Sequence, residues 1–257
     1  YAKSIDADYI ATGHYARVVH TEGKESVMLR GVDNNKDQTY FLCQLNQNQL
    51  NNSLFPIGEL TKPEVRQIAE ELDLPVAHKK DSTGICFIGE RDFREFLKNY
   101  IPAKSGKMVD IVSKKVIGEH QGIMYYTIGQ RKGLGIGGNG EPWFVVGKDY
   151  DKNILYIAQG DSNKWLLSHG ALITDVNWIS ATKPEGEYDC TAKFRYRQKD
   201  NDVSLHFIDE TTLYVTFKKP IKAVTPGQAA VFYDGDVCLG GGTIDKVYKD
   251  GKEIDYL

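Results

Sequence analysis

From residue 164 to the end of this 257-residue chain, apolar and polar residues take turns. Cys190, Ala192, Phe194 and Tyr196 alternate with Thr191, Lys193, Arg195 and Arg197. Period two is the mark of a strand, here with one apolar and one basic face. Val203, Leu205 and Phe207 repeat the alternation, as do Leu213, Val215 and Phe217. Asp234-Gly235 is a hairpin signal between apolar runs at 229–233 and 237–239. Short strands at this spacing restrict the region to an all-β fold and predict a small barrel over 164–257. Cys190 and Cys238 fall on apolar positions and read as core. The row Lys193, Arg195 and Arg197 reads in two ways: a solvated strand face, or a stripe of cations that tracks phosphates.

The regions before the barrel have other textures. Residues 99–163 are rich in glycine and short strands, at 108–112, 116–118, 143–149 and 154–158, and read as a small central β-rich domain. Between those strands lies YYTIGQRKGLGIGG at 125–138, with too many glycines for a helix. It meets the G-x-G-x-x-G spacing only loosely and follows no βαβ pattern, so it is weak evidence for a dinucleotide site. Arg131 and Lys132 suit either phosphate contacts or a solvated turn.

Residues 1–98 mix strands and helices and read as α/β. A short buried-type strand at 9–12 delivers Gly13 and His14 at its carboxyl end, the edge at which open α/β sheets bind ligands. A second strand is expected at 27–30. Lys36-Asp37-Gln38 opens a helix with Asp37 as its N-cap. Cys43 lies among Phe41, Leu42 and Leu45 and reads as core. Thr61-Lys62-Pro63-Glu64 is a capping box, followed by an apolar stripe of Val65, Ile68, Ala69 and Leu72. These strands are too few for a complete parallel sheet. The chain starts at Tyr1 without Met, and is expected to be an excerpt of a longer protein.

The reactive group stands out from its setting. In DSTGICFIGER, residues 81–91, Cys86 lies between Gly84 and Gly89, with Lys79, Lys80 and Arg91 nearby. Phe93, Phe96, Leu97 and Tyr100 predict a helix starting near Glu90, whose dipole favours an anion. Cations and dipole together lower a thiol pKa, as a nucleophile or sulfur carrier requires; the alternative is a buried structural cysteine. The four cysteines are far apart, with no CxxC pair, so neither a zinc ribbon nor a thioredoxin-type motif is present and no metal is expected. A net charge of -3 gives no global attraction to nucleic acid, so RNA binding must rest on a local patch. With no signal peptide and no long apolar run, a soluble cytoplasmic protein without membrane contact is expected.

ATGHYAR at 11–17, GVDNNKDQTYFL at 31–42, the DSTGICFIGER loop, GEHQGIMYYTIGQRKGLGIGG at 118–138, RYRQ at 195–198 and TPGQAAVFYDGD at 225–236 occur together here. In this order they resemble the bacterial tRNA-specific 2-thiouridylases across essentially the whole chain. The resemblance implies an ATP-pyrophosphatase domain, partial here, ending near residue 98. A central domain over 99–163 and a tRNA-binding β-barrel over 164–257 would follow. It implies thiolation of the wobble uridine in the tRNAs for Lys, Glu and Gln, with ATP adenylating the uracil 2-carbonyl and a cysteine persulfide delivering sulfur. Cys86 matches the persulfide cysteine, Gly13 a backbone contact to ATP, and His14 a contact to tRNA. Lys36, Asp37 and Gln38 match a tRNA-contacting segment, and Arg195, Tyr196 and Gln228 match tRNA contacts on the barrel. A desulfurase or relay protein would donate the sulfur. The family's Gly/Ser-rich phosphate loop, with the Mg it implies, is absent from these residues, and so is its second catalytic cysteine. The chain alone is therefore expected to be inactive. Two other readings use fewer of these residues: a non-catalytic RNA-binding module, which needs Arg195, Arg197 and Arg131 but not Cys86, and a thiol-transfer protein, which needs Cys86 without RNA.

Overall fold

A computed structural model describes residues 2–79, 96, 99–180 and 183–254. They fall into two compact units: one of residues up to 79, 169–219 and 226–247, the other of the remainder. Cys86 and its loop lie outside the described residues, as does most of the helix expected after Glu90.

The chain opens with β1 (Ile10–Ala11), β2 (Ala16–Val19) and β3 (Val27–Arg30), then α1 (Thr39–Leu42), α2 (Gln47–Asn51), β4 (Ser53–Leu54) and α3 (Lys62–Glu71). The strand read at 27–30 is β3. β2 pairs with it antiparallel, Ala16 opposite Arg30. β1 was expected to be buried. Instead Tyr9 and Ile10 are about half exposed, at 55% and 50%; among the described residues β1 pairs along one edge, with the parallel β4. The capping box of α3 is present: Glu64 accepts from both the N–H and the hydroxyl of Thr61 at 2.7 Å. Those bonds hold the Glu64 carboxyl below its usual range. The stripe of α3 is not covered among the described residues, and Leu72 is 64% exposed. α1 begins one residue later than expected, with Gln38 in the cap position. Asp37 still serves the helix start, since its carboxylate accepts the Thr39 N–H at 3.3 Å.

The second unit is built on β5 (Gly106–Asp110), β6 (Val116–His120), β7 (Trp143–Asp149) and β8 (Ile154–Gln159), in the order β6-β5-β8-β7. All four strands were legible in the sequence. Met108, Phe144, Val145, Leu155 and Ile157 form its core, and Leu134 pins the glycine-rich loop to them. That loop is tied to β7 by Gly129, whose N–H donates to the Val145 carbonyl at 2.7 Å from a left-handed conformation (φ 80°). His120 is fully buried. Its Nδ1 accepts from Gly122 N–H at 3.2 Å and its Nε2 donates to the Asn153 carbonyl at 3.1 Å. Burial, partly offset by the Asn153 bond, holds the imidazole pKa below its ordinary 6.5. Below that pH the unfolded chain binds a proton that the folded unit does not, so stability rises with pH in this window. We expect this unit to lose stability as pH falls through 6.5 toward the lowered folded value, and His120→Gln to flatten that dependence. Thermal melts across the window check this, and an unchanged slope in the variant would exclude His120 as its source.

The barrel of the first unit uses β9 (Leu167–Trp178), β10 (Glu187–Lys193), β11 (Asn201–Phe207), β12 (Leu213–Lys222), β13 (Ala229–Asp234) and β14 (Val237–Lys249). They run in the order β13-β10-β11-β12-β9-β14, and β14 pairs back onto β13, closing the ring. Closure leaves no edge among these six strands. Asp234-Gly235 makes the β13–β14 hairpin as read. β3 continues the sheet outward from β14, Leu29 opposite Val237, while β15 (Lys252–Glu253) folds back on the end of β14. The run AAVFY at 229–233 of β13 is apolar rather than alternating because both of its faces are covered. Val231 and Tyr233 pack with Ala16, Met28, Tyr40, Cys43 and Leu50, while Phe232 stacks on Trp178 at 5.9 Å. Gly241 on β14 permits this docking: a Cβ there would lie 2.5 Å from the Ala230 carbonyl and 3.2 Å from Cys43 Sγ.

Candidate nucleic-acid interface

The segment after β3 is held on the barrel by a balanced group of charges. Arg30 sends both Nη atoms to Asp200 Oδ1 at 3.1 Å, and its guanidinium lies 3.8 Å over the Tyr233 ring. Lys193 Nζ is 3.7 Å from Asp37 and 3.9 Å from Asp200. Asp37 also accepts from Gly31 N–H at 3.2 Å, and the Thr39 hydroxyl lies 2.9 Å from Asp37 Oδ1 and 3.3 Å from Tyr233 OH. Arg30, Asp37 and Lys193 are each less than a tenth exposed. Charges this buried are tolerated only when paired and hydrogen-bonded. Burial drives the Tyr233 phenol far above its ordinary range, so it stays neutral among them.

This arrangement corrects the reading of a basic strand face. β10 ends at Lys193, which is drawn inward by Asp37 and Asp200. Phe194 N–H donates to Gln198 Oε1 at 2.7 Å and Gln198 N–H to the Arg195 carbonyl at 3.1 Å, closing a turn. Arg197 sits in it with φ 63°, a left-handed conformation that costs a non-glycine residue about 1 kcal/mol. Of the three cations, Lys193 is buried, Arg195 half-buried and Arg197 exposed.

What the turn offers in place of a stripe is an aromatic surface. Tyr40 of α1 is buried, and its hydroxyl donates to the Ala229 carbonyl at 2.9 Å, beside Gln228. Burial raises its phenol to about 12, the Cys43 thiol adds to the rise, and the nearby Arg195 guanidinium opposes it. Tyr196 packs 6.3 Å from Tyr40 and 4.5 Å from Phe41, between ring centroids. The Arg197 guanidinium lies 5.3 Å from the Tyr196 ring. Phe41, read as a neighbour of the core, is 57% exposed. α1 buries Thr39 and Tyr40 and turns Phe41, about 100° further round, to the outside.

The structure gathers most of the candidate residues around α1. Gln38 exchanges two hydrogen bonds with Tyr15, each 2.9 Å, and so fixes the chain next to His14. His14 is half-buried, with Nδ1 2.9 Å from the Thr12 hydroxyl and its ring edge-on to Phe55. Gly13 is exposed, and a Cβ built there meets nothing within 4 Å. Asp37 is spent on internal bonds, so it positions the segment from beneath. Lys36 is half-buried beside it. Arg195 and Tyr196 lie beside Tyr40 of α1, and Gln228 directly precedes Ala229, whose carbonyl Tyr40 binds. The cysteines divide differently. Burial pushes the Cys43 thiol up to about 11 and Cys190 to about 12, and holds Cys238 well above its usual value. None of these three is a thiolate near neutral pH. Among the described residues no group of three His, Cys, Asp or Glu is placed to hold a metal ion.

Three family models match in sequence: a tRNA methyl transferase HUP domain over residues 1–90, a tRNA methyl transferase PRC-barrel domain over 94–159, and an aminomethyltransferase β-barrel domain over 168–244. Proteins of Bacillus cytotoxicus, Bacillus cereus and Bacillus mycoides, each named tRNA-specific 2-thiouridylase MnmA, are 59% identical to it over 257 residues. That alignment takes in 100% of this chain and 69% of each relative. The chain belongs to the tRNA-specific 2-thiouridylase family.

Proposed function

We propose that this chain takes part in 2-thiolation of the wobble uridine of tRNA, in the tRNAs for Lys, Glu and Gln. The observation that carries the reading is the 59% identity over 257 residues, all of this chain, to proteins named for that activity. The surface around α1 supports the RNA part of it. A net charge of -3 leaves recognition to local groups, and Phe41, Tyr196, Arg195, Arg197, Lys36 and Gln228 provide aromatic, cationic and amide contacts there.

Cys86 is the residue we assign to sulfur transfer, as a persulfide charged by a desulfurase or relay protein. The three described cysteines support the choice, since each is held as a neutral thiol by burial. The uracil 2-oxygen is a poor leaving group, and ATP, when bound, supplies the adenylyl group that activates it. Cys86 would present the terminal sulfur of its persulfide to C2, and the activated oxygen would leave with AMP. A second thiol or another reductant then breaks the S–S bond to Cys86. The fit of the described residues to ATP is partial. Exposed Gly13, at the carboxyl end of β1 and open on its Cα side, fits the edge of an adenosine. No Gly/Ser-rich turn among the described residues leads from a strand into a helix, so the phosphates have no cradle of N–H groups there. Within these residues, His14, Gln38 and the α1 surface bind and orient the RNA, and no step is assigned to them beyond that. The natural gene product is the object of the test. Mass spectrometry of tRNA nucleosides from cells lacking the gene should show the wobble 2-thiouridine lost and restored with the gene, and an unchanged level would overturn the reading.

A further inference from the structure

We propose that Phe41 and Tyr196 form a platform on which an unpaired base of the RNA stacks, with Arg197 beside it for an adjacent phosphate; the assignment rests on the tRNA reading above. Single exposed apolar side chains are ordinary on protein surfaces. Phe41 is different because it is one of three rings in contact, and the other two are fixed. Tyr40 stands edge-on to it at 5.5 Å and is anchored through its hydroxyl to the barrel. Tyr196 is held by the Gln198-closed turn, and Arg197 lies over it. The open aromatic face is therefore that of Phe41, walled by Tyr196.

Charge selects the occupant. Of the four cations in KFRYRQK at 193–199, Lys193 is paired inside with Asp37 and Asp200; Arg195 is half-buried and Arg197 and Lys199 are exposed, in a chain whose net charge is -3. An aromatic face set beside guanidinium groups suits a base and its phosphate. Bases within a duplex keep their faces covered, so the partner is an unpaired nucleotide. Stacking accepts any base, so the platform holds and orients the strand rather than reading its sequence.

The test compares the wild-type chain with Phe41→Ala, Phe41→Trp and Arg197→Ala against two probes: an in vitro transcribed tRNA and a fully paired RNA of similar length. Phe41→Ala should weaken tRNA binding roughly 5- to 100-fold, with an unchanged salt slope because no charge is removed. Phe41→Trp, which keeps a ring, should bind as wild type does. Arg197→Ala should reduce the salt slope by about one. Paired RNA should not distinguish Phe41→Ala from wild type. Equal tRNA affinity for Phe41→Ala and wild type would overturn the platform, as would an equal loss on both probes or a failure of Phe41→Trp. If the wild-type chain binds no tRNA even at low salt, the functional reading itself fails and takes the platform with it.

Discussion

Cys86→Ser, introduced into the natural gene, should abolish wobble 2-thiouridine while leaving the amount of folded protein unchanged. A serine oxygen cannot carry a sulfane sulfur, so the loss should be complete rather than graded. The expectation draws on two separate facts. Cys86 lies between glycines among lysines and an arginine, a setting that favours a thiolate. The other three cysteines are raised by burial, Cys43 to about 11 and Cys190 to about 12. At neutral pH their thiolate fractions are negligible, so Cys190→Ser and Cys238→Ser should retain the modification. Nucleoside mass spectrometry reads each variant directly. Thiolation at the wild-type level in Cys86→Ser would remove the cysteine from the mechanism, and loss in Cys190→Ser with folding intact would transfer the role.

Asp37→Ala should be among the most destabilising single changes in the first unit. It leaves Arg30 and Lys193 facing Asp200 alone, and it strips Gly31 N–H and Thr39 N–H of an acceptor. Removing one member of a buried, bonded ion pair costs about 3–5 kcal/mol. Charge balance explains the size, since two buried cations then share one carboxylate. The double variant Asp37→Asn with Lys193→Met should recover much of the loss, because it removes one charge of each sign and keeps an amide acceptor near Gly31. Denaturant unfolding of the three proteins measures both effects. A cost below about 1 kcal/mol for Asp37→Ala, the size expected of an exposed pair, would show that the cluster does not hold the segment.

Much of the fold could be read from neighbouring residues. The capping box of α3 was legible because Thr61 and Glu64 are one turn apart, and the strands of the barrel because their alternation is local. The charge cluster was not, since Arg30 and Asp200 are separated by 170 positions and nothing near either reports the other. That gap explains the main error. Lys193, Arg195 and Arg197 keep strand period on paper, yet Gln198 closes a turn beneath them and two carboxylates pull Lys193 inside. The resemblance supplied the candidate residues one by one, and how they lie on the surface was not legible in the sequence. Tyr40 ties α1 to Ala229, 189 positions away, and no local pattern reports that bond. β1 failed in the opposite sense, since apolar composition marks a strand but does not say whether anything covers it.

The separation between Arg30 and Asp200 also sets an order of events during synthesis. A ribosome adds roughly 5–20 residues per second, so Asp200 reaches Arg30 about ten to thirty seconds after Arg30 is made. Until then Asp37 and Arg30 remain in water and Phe41 has no neighbouring Tyr196. The surface around α1 is thus a late product of translation, joined to the ring only when the second strand of the closing hairpin emerges and β14 pairs with β13.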